Sequence, residues 1–159
     1  MKVITGGVTA AKGFQAASTA AGIKYQGRTD MAMVYSEKPC VAAGTFTTNI
    51  VKAAPVKWDQ EIVYKHPSAQ VIVCNSGIAN TCAADGIEKA EAMCAMTAEA
   101  LGLDAGDVLV ASTGVIGPSI NLEPIRAGLP GLVAELSANG SHNCAEAIMT
   151  TDTRKKEFA

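Results

Sequence analysis

Asp107-Val-Leu-Val-Ala-Ser-Thr-Gly-Val-Ile-Gly117 carries two signals in succession. Asp107 to Ala111 reads as a short buried strand, because its apolar residues run on without polar interruption. The strand passes straight into Ser112-Thr113-Gly114, and a second glycine, Gly117, precedes Pro118. Gly114 and Gly117 permit backbone conformations closed to other residues and let a ligand come close to the main chain. Successive N–H groups in such a turn can converge on one point as an anion or oxyanion hole, with the Ser112 and Thr113 hydroxyls as further donors. The same spacing also suits a plain glycine turn after a strand.

Working outward, Gln70 to Cys74 is another continuous apolar run and reads as a buried strand. It too ends in a polar stretch, Asn75-Ser-Gly-Ile-Ala-Asn-Thr81. Polar residues at a buried strand's end often line sites, since the scaffold is rigid there and the loop accessible; Asx and Ser turn chemistry accounts for them equally well. Between the two strands, Ile87 to Leu101 reads as a helix. Ala90, Met93, Cys94, Thr97 and Leu101 fall at three- and four-residue spacings, and Gly102 supplies a stop. Met31 to Ser36 and Val41 to Thr48 read as a hairpin around a Glu37-Lys38-Pro39 turn. Glu123 to Gly128 and Leu132 to Ser137 read as a broken helix or two short ones, interrupted at Gly128-Leu-Pro-Gly131. Asn143 could cap a last helix over Cys144 to Met149, and Arg154 to Ala159 reads as the start of a strand.

Composition narrows the function classes. The 159 residues are one domain's worth of chain, 48% hydrophobic and only 18% charged, which excludes a disordered polyelectrolyte. Thirteen Lys and Arg against fifteen Asp and Glu leave a formal charge of −2, with aromatics at 4%. That is no footprint for nucleic acid, whether through phosphates or through base stacking. No apolar run reaches the roughly 20 residues of a membrane span, and Met1-Lys-Val-Ile-Thr-Gly-Gly7 lacks the apolar stretch of a secretory signal. A cytoplasmic location is therefore expected, with no membrane or nucleic-acid partner. The cysteines Cys40, Cys74, Cys82, Cys94 and Cys144 show no Cys-x-x-Cys pair. They read as small, buried, reduced thiols rather than metal ligands. His66 and His142 read as loop histidines without a catalytic partner. The Walker, dinucleotide and Gly-x-Ser-x-Gly patterns are absent. A third polar stretch, Met149-Thr-Thr-Asp-Thr-Arg-Lys-Lys156, places three hydroxyls and a carboxylate within four residues, suited to a polar ligand or to plain solvation of a helix end.

Five blocks, taken in order, resemble the ornithine acetyltransferase (ArgJ) family, whose members exchange acetyl between N-acetylornithine and glutamate. They are Val8-Thr-Ala-Ala-Lys-Gly-Phe14, Gly44-Thr-Phe-Thr-Thr-Asn49 with Val51-Lys-Ala-Ala-Pro-Val56, Asn75-Ser-Gly-Ile-Ala-Asn80, Ser112-Thr-Gly-Val-Ile-Gly117 and Ala147-Ile-Met-Thr-Thr-Asp-Thr153. The resemblance implies an α+β fold: a layered αββα sandwich of the ornithine acetyltransferase and DmpA-like type, distinct from the Ntn-hydrolase topology. It implies a precursor that cleaves itself, freeing a threonine at the start of a β chain. That threonine takes acetyl and passes it on in a ping-pong reaction, its new α-amine, with an ordinary pKa of about 7.7–8.0, serving as base. Thr113 and Gly114 then correspond to the oxyanion hole, and Thr150 or Thr151 to a contact with the amino-acid substrate.

The resemblance further implies that residues 1–159 are a single domain, most of an α chain, ending roughly thirty residues before the family's cleavage site. The expected partners are a β chain, with which an α/β hetero-oligomer forms through a large apolar interface, and the small molecules N-acetylornithine and glutamate. No cofactor or metal is implied; acetyl-CoA would be a substrate in a bifunctional member. Alone, the chain is expected to be inactive. Two other readings stand beside this one: a self-processing amidohydrolase or aminopeptidase of related fold, and a non-catalytic orphan domain.

Overall fold

The structure, a computed structural model, describes residues 3–66 and 68–159. Four strands form one sheet in the order β1 (Phe14–Thr19), β2 (Met31–Val41), β3 (Ser68–Asn75) and β4 (Val108–Ser112). The first two pairings are antiparallel and the last is parallel. The helices are α1 (Ala54–Lys65), α2 (Gly86–Leu101), α3 (Leu122–Ala134) and α4 (Ser141–Ala147). The expected α+β class is present, and the described residues contain one sheet of the two that an αββα sandwich requires.

Strand alternation sorts the side chains into two faces. Ala17, Met33, Val73 and Val110 stand in register on one face and are fully buried. There they pack with Met93 and Cys94 of α2 and with Ile125, Leu129 and Leu132 of α3. The opposite row is Ala16, Val34, Ile72 and Leu109. Helix α4 covers only its β1–β2 end, through Cys144 and Ala147 against Ala16 and Ala32. Toward β3 and β4 this face is open, and Ile72 is 42% exposed.

Several elements differ from the sequence reading. The hairpin across Pro39 does not form. β2 runs through Pro39 as one strand, its register broken between Tyr35 and Cys40. The irregularity accommodates a residue that cannot donate to a ladder, and the Ser36 hydroxyl donates to the Lys38 carbonyl across it at 2.6 Å. The residues read as the hairpin's second strand, 42–48, carry no regular structure. The true partners of β2 are β3 and the unforeseen β1, whose small residues Gln15-Ala-Ala-Ser18 give little strand signal. Helix α3 is continuous, with Pro130 inside it, and Asn121 caps it by accepting the Glu123 N–H. Helix α4 starts earlier than expected, so Asn143 lies within it and Gly140 precedes it. Residues 155–159 form no strand. They lie against α4 instead, with the Glu157 carboxylate 3.2 Å from His142 Nδ1 and Lys155 Nζ 2.7 Å from Nε2. His142 is therefore a partnered helix residue rather than a loop histidine. Cys94 and Cys144 are buried and Cys40 and Cys74 half-buried, but Cys82 is exposed, at φ 58°. Burial pushes the Cys74 thiol up to about 12 and that of Cys144 to about 11. Helix α2 and its Gly102 stop stand as read: Gly102 is left-handed, and the Leu103 N–H closes the helix end on the Ala98 carbonyl at 2.9 Å.

The outer edge of β4 is closed by helix α1, which the sequence reading did not foresee. The Trp58 indole N–H donates to the Val108 carbonyl at 3.1 Å, and Asp59 Oδ1 accepts the Val110 N–H at 2.9 Å. Two adjacent side chains thus stand in for a further strand and satisfy backbone groups that an open edge would leave unpaired. Burial raises the Asp59 carboxyl from 3.8 to about 6, against the lowering effect of the Val110 hydrogen bond. A carboxyl that holds its proton more tightly when folded favours the folded state at low pH, and this contribution is lost as pH climbs from about 4 through about 6. Asp59→Asn keeps an acceptor for Val110 without a charge. It should raise the melting temperature by a few degrees at pH 7–8, about 1 kcal/mol once partial exposure is allowed for, and change nothing at pH 4. Thermal melts across pH 4–8 check this; an equal effect at both ends would contradict it.

Candidate functional site

Strands β3 and β4 run parallel, so both send their polar extensions off the same end of the sheet. The ladder continues beyond the strands. The Thr113 N–H donates to the Asn75 carbonyl at 3.0 Å, the Val115 N–H to the Gly77 carbonyl at 3.0 Å, and the Ala79 N–H to the Val115 carbonyl at 2.9 Å. Gly114 sits between two bonded neighbours, and its own N–H has no acceptor among the described residues. Gly77 and Gly114 have φ of +98° and +129°. A Cβ at Gly114 would lie 2.3 Å from the Gly77 carbonyl carbon and oxygen, so the two backbones touch where no side chain fits.

A third segment is folded over this end by Asp30, which is 4% exposed. Its Oδ1 accepts the Ala21 N–H at 2.7 Å and its Oδ2 the Ile23 N–H at 2.6 Å. Its carbonyl accepts the Ser76 N–H at 2.8 Å, which ties the segment to the end of β3. A fourth segment follows α4. The Ser76 hydroxyl donates to the Ala147 carbonyl at 2.7 Å, and the Arg28 guanidinium donates to the Met149 carbonyl. These bonds set Thr150 and Thr151 beside the glycine turns.

The four segments enclose a cavity of about 270 Å³. Ser76, Gly77, Gly114 and Val115 line it together with Thr150 and Thr151; Lys24, Tyr25, Arg28 and Asp30 complete it. Of the residues singled out from sequence, Gly114, Thr150 and Thr151 are thus brought together across one space. Thr113 is half-buried and lies outside the lining. The expectation of successive converging N–H groups is corrected: the amides on either side of Gly114 are consumed by the β3 extension, so of the three amides of Thr113, Gly114 and Val115 only that of Gly114 is unbonded among the described residues. Ser112 is also corrected, since its hydroxyl is buried without a partner among the described residues and does not reach the cavity. Asp152 lies outside it too, paired with Lys156, which holds the carboxyl below its ordinary range. The residues that sequence reasoning missed are Lys24, Tyr25, Arg28 and Asp30. They sit in an irregular stretch without periodicity, where the one available signal was a cluster of charge beside an aromatic.

Chemically, the cavity can stabilise negative charge. It has a free backbone donor and two cationic side chains, while both oxygens of its single carboxylate are engaged by backbone amides. It has no activated nucleophile: among the described residues neither Thr150 nor Thr151 bonds a histidine or carboxylate through its hydroxyl, and the Ser76 hydroxyl is spent on Ala147.

Comparison with known proteins identifies the family. Residues 15–159 match the ArgJ family. The arginine biosynthesis bifunctional protein ArgJ of Thermosynechococcus vestitus is 49% identical over 157 residues, and that of Gloeobacter violaceus 48%. Each alignment spans 98% of this chain but only 38% and 39% of the relative, so the chain corresponds to about two fifths of the curated relatives' length. Among solved structures, ArgJ from Bacillus halodurans superposes with a TM-score of 0.90 at 37% identity, covering 99% of this chain and 84% of that one. Ornithine acetyltransferase from Mycobacterium tuberculosis, solved in complex with ornithine, gives 0.90 at 39% identity over 96% of this chain and 84% of that one. A family match across nine tenths of the sequence, with the glycine turns and the Thr-Thr segment gathered on one cavity, establishes that the chain belongs to the ArgJ family.

Proposed function

We propose that this chain is the α-side portion of a self-cleaved cytoplasmic acetyltransferase of arginine biosynthesis, moving acetyl from N-acetylornithine to glutamate. The supporting observation is the unbonded Gly114 N–H on a cavity shared with Thr150 and Thr151. In this reading a β-chain threonine outside these residues attacks the acetyl carbonyl. The carbonyl oxygen takes up the negative charge, ornithine leaves with a proton on its amine, and an acetyl ester remains on the threonine. The α-amine of glutamate then attacks that ester, giving N-acetylglutamate and freeing the threonine. Each tetrahedral intermediate carries an oxyanion, for which Gly114 supplies its N–H. Thr113 can contribute only its hydroxyl, because its N–H is engaged by Asn75. One of Thr150 and Thr151 contacts the amino-acid substrate. Acetyl-CoA serves as a second donor if the protein shares the bifunctionality that its relatives' names carry. The open sheet face around Ile72 and Leu109 suits the large apolar contact with the β chain.

The test is Thr113→Val in the full-length protein, which removes the hydroxyl at nearly constant volume. The turnover number for acetyl transfer should fall about 10²- to 10³-fold with KM little changed, and Thr113→Ser should recover much of it. Wild-type turnover with Thr113→Val equally active would contradict the assignment. Hydrolysis of N-acetylornithine in place of transfer would favour an amidohydrolase. Robust transfer by residues 1–159 alone would place the nucleophile within this chain.

A further inference from the structure

We propose that Asn75 is a positioning residue for the oxyanion donor: its side-chain nitrogen closes the Gly77 turn and so fixes the direction of the Gly114 N–H; the inference rests on the acetyl-transfer reading above. Asn75 is the last residue of β3, is 1% exposed and lies outside the cavity lining, so it acts through its neighbours. Its main-chain carbonyl accepts the Thr113 N–H at 3.0 Å, and its Nδ2 donates to the Ile78 carbonyl at 2.9 Å. The second bond ties the two ends of Asn75-Ser-Gly-Ile78 and holds Gly77 between them at φ +98°. The Gly77 carbonyl in turn accepts the Val115 N–H at 3.0 Å. Both hydrogen bonds that flank Gly114 therefore end on the short segment that this side chain closes.

The position requires a donor. On the core face of β3 and β4 the register pair Val73 and Val110 is apolar, and the next pair, Asn75 and Ser112, is polar. Asn75 Oδ1 and Ser112 Oγ are both buried without a partner among the described residues. A buried acceptor left unpaired works against folding, so an apolar pair would suit the core better. What the Asn75 amide contributes is its nitrogen: the Ile78 carbonyl has no other donor among the described residues. A carboxylate in its place would set oxygen against oxygen, whereas a protonated carboxyl has one O–H to give.

Asn80 offers a matched comparison at the far end of the same loop. It is 2% exposed, donates through Nδ2 to the Gly86 carbonyl at 2.7 Å and likewise has an unpartnered Oδ1 among the described residues. Its bond ties the loop to the start of α2 rather than to the glycine turns. A general need for a buried amide in this loop would act alike at both positions; positioning of Gly114 acts at Asn75 alone.

The experiment compares wild type, Asn75→Asp and Asn80→Asp in the full-length protein, with rates of acetyl transfer from N-acetylornithine to glutamate expressed per cleaved chain. At pH 8, Asn75→Asp should lower kcat about 10- to 100-fold with KM little changed. Asn80→Asp should lower the melting temperature and leave kcat near that of wild type. As the pH falls toward 5, the ratio of Asn75→Asp kcat to wild-type kcat should rise, because burial favours the protonated carboxyl, which regains a donor for Ile78. Taking the ratio cancels the titration of the attacking threonine's amine. Amide hydrogen exchange reads the same claim without catalysis, and decides it even where Asn75→Asp is not cleaved. At pH 8 the Val115 amide should exchange about 10-fold faster in Asn75→Asp, the equivalent of one lost hydrogen bond, and as in wild type in Asn80→Asp. Equal kcat losses in the two variants, a ratio that stays flat with pH, or a Val115 amide as protected in Asn75→Asp as in wild type would overturn the proposal. Wild type that transfers no acetyl would instead defeat the acetyl-transfer reading, while the exchange comparison would still show whether Asn75 holds the turn.

Discussion

The contact between the backbones of Gly77 and Gly114 organises this molecule. It lies where two parallel strands end together, and it works because Gly114 has no side chain to meet the Gly77 carbonyl. The parallel ladder extends past β3 and β4 through Thr113, Val115 and Ala79, so the two loops behave as a continuation of the sheet. A loop so held keeps its amides fixed in the absence of ligand. Preorganised donors of this kind stabilise developing charge without having to reorient during the reaction. The ladder also takes up the Thr113 and Val115 N–H groups and leaves the one between them unbonded.

The rest of the fold serves that junction unevenly. On one face of the sheet α2 and α3 build a dry core of Met, Val, Ile and Leu, and α1 seals the outer edge of β4 with the Trp58 and Asp59 side chains. On the other face α4 is the one helix among the described residues, over the β1–β2 end, and its contribution is as much positional as apolar: it presents the Ala147 carbonyl to Ser76 and leads into Thr150. The β3–β4 end of that face stays uncovered. A sheet closed on one side and open on the other is what a layered sandwich gives when only one of its sheets is present. The cavity is similarly one-sided, rich in groups that receive negative charge and lacking a group that attacks.

How much of this could be read from the chain itself varies with the physics of each part. Helix α2 and strands β3 and β4 were legible because burial imprints periodicity: Met93, Cys94 and Thr97 at helical spacing, and Val71-Ile-Val73 and Val108-Leu-Val110 as unbroken runs. The Gly114 turn was legible because a glycine after a buried strand is costly unless the backbone needs it. β1 was not, because Ala16 and Ala17 are small and their strand character comes from pairing with β2 rather than from propensity. Pro39 misled for the converse reason: a proline usually marks a turn, but an irregular strand register can absorb it. The spending of the Thr113 amide on Asn75 joins residues 38 positions apart, and the folding of Lys24 and Arg28 onto the cavity by Asp30 takes place in an irregular loop, so neither leaves a local pattern.

The most direct measurement is residue-resolved amide hydrogen exchange on the full-length protein, alone and with a stable tetrahedral mimic of the acetyl-transfer intermediate. Thr113 and Val115 should be protected in both states, while the Gly114 amide should exchange rapidly in the free protein and become protected when the mimic's oxyanion is bound. A Gly114 amide already protected without ligand, or one indifferent to the mimic, would contradict the account.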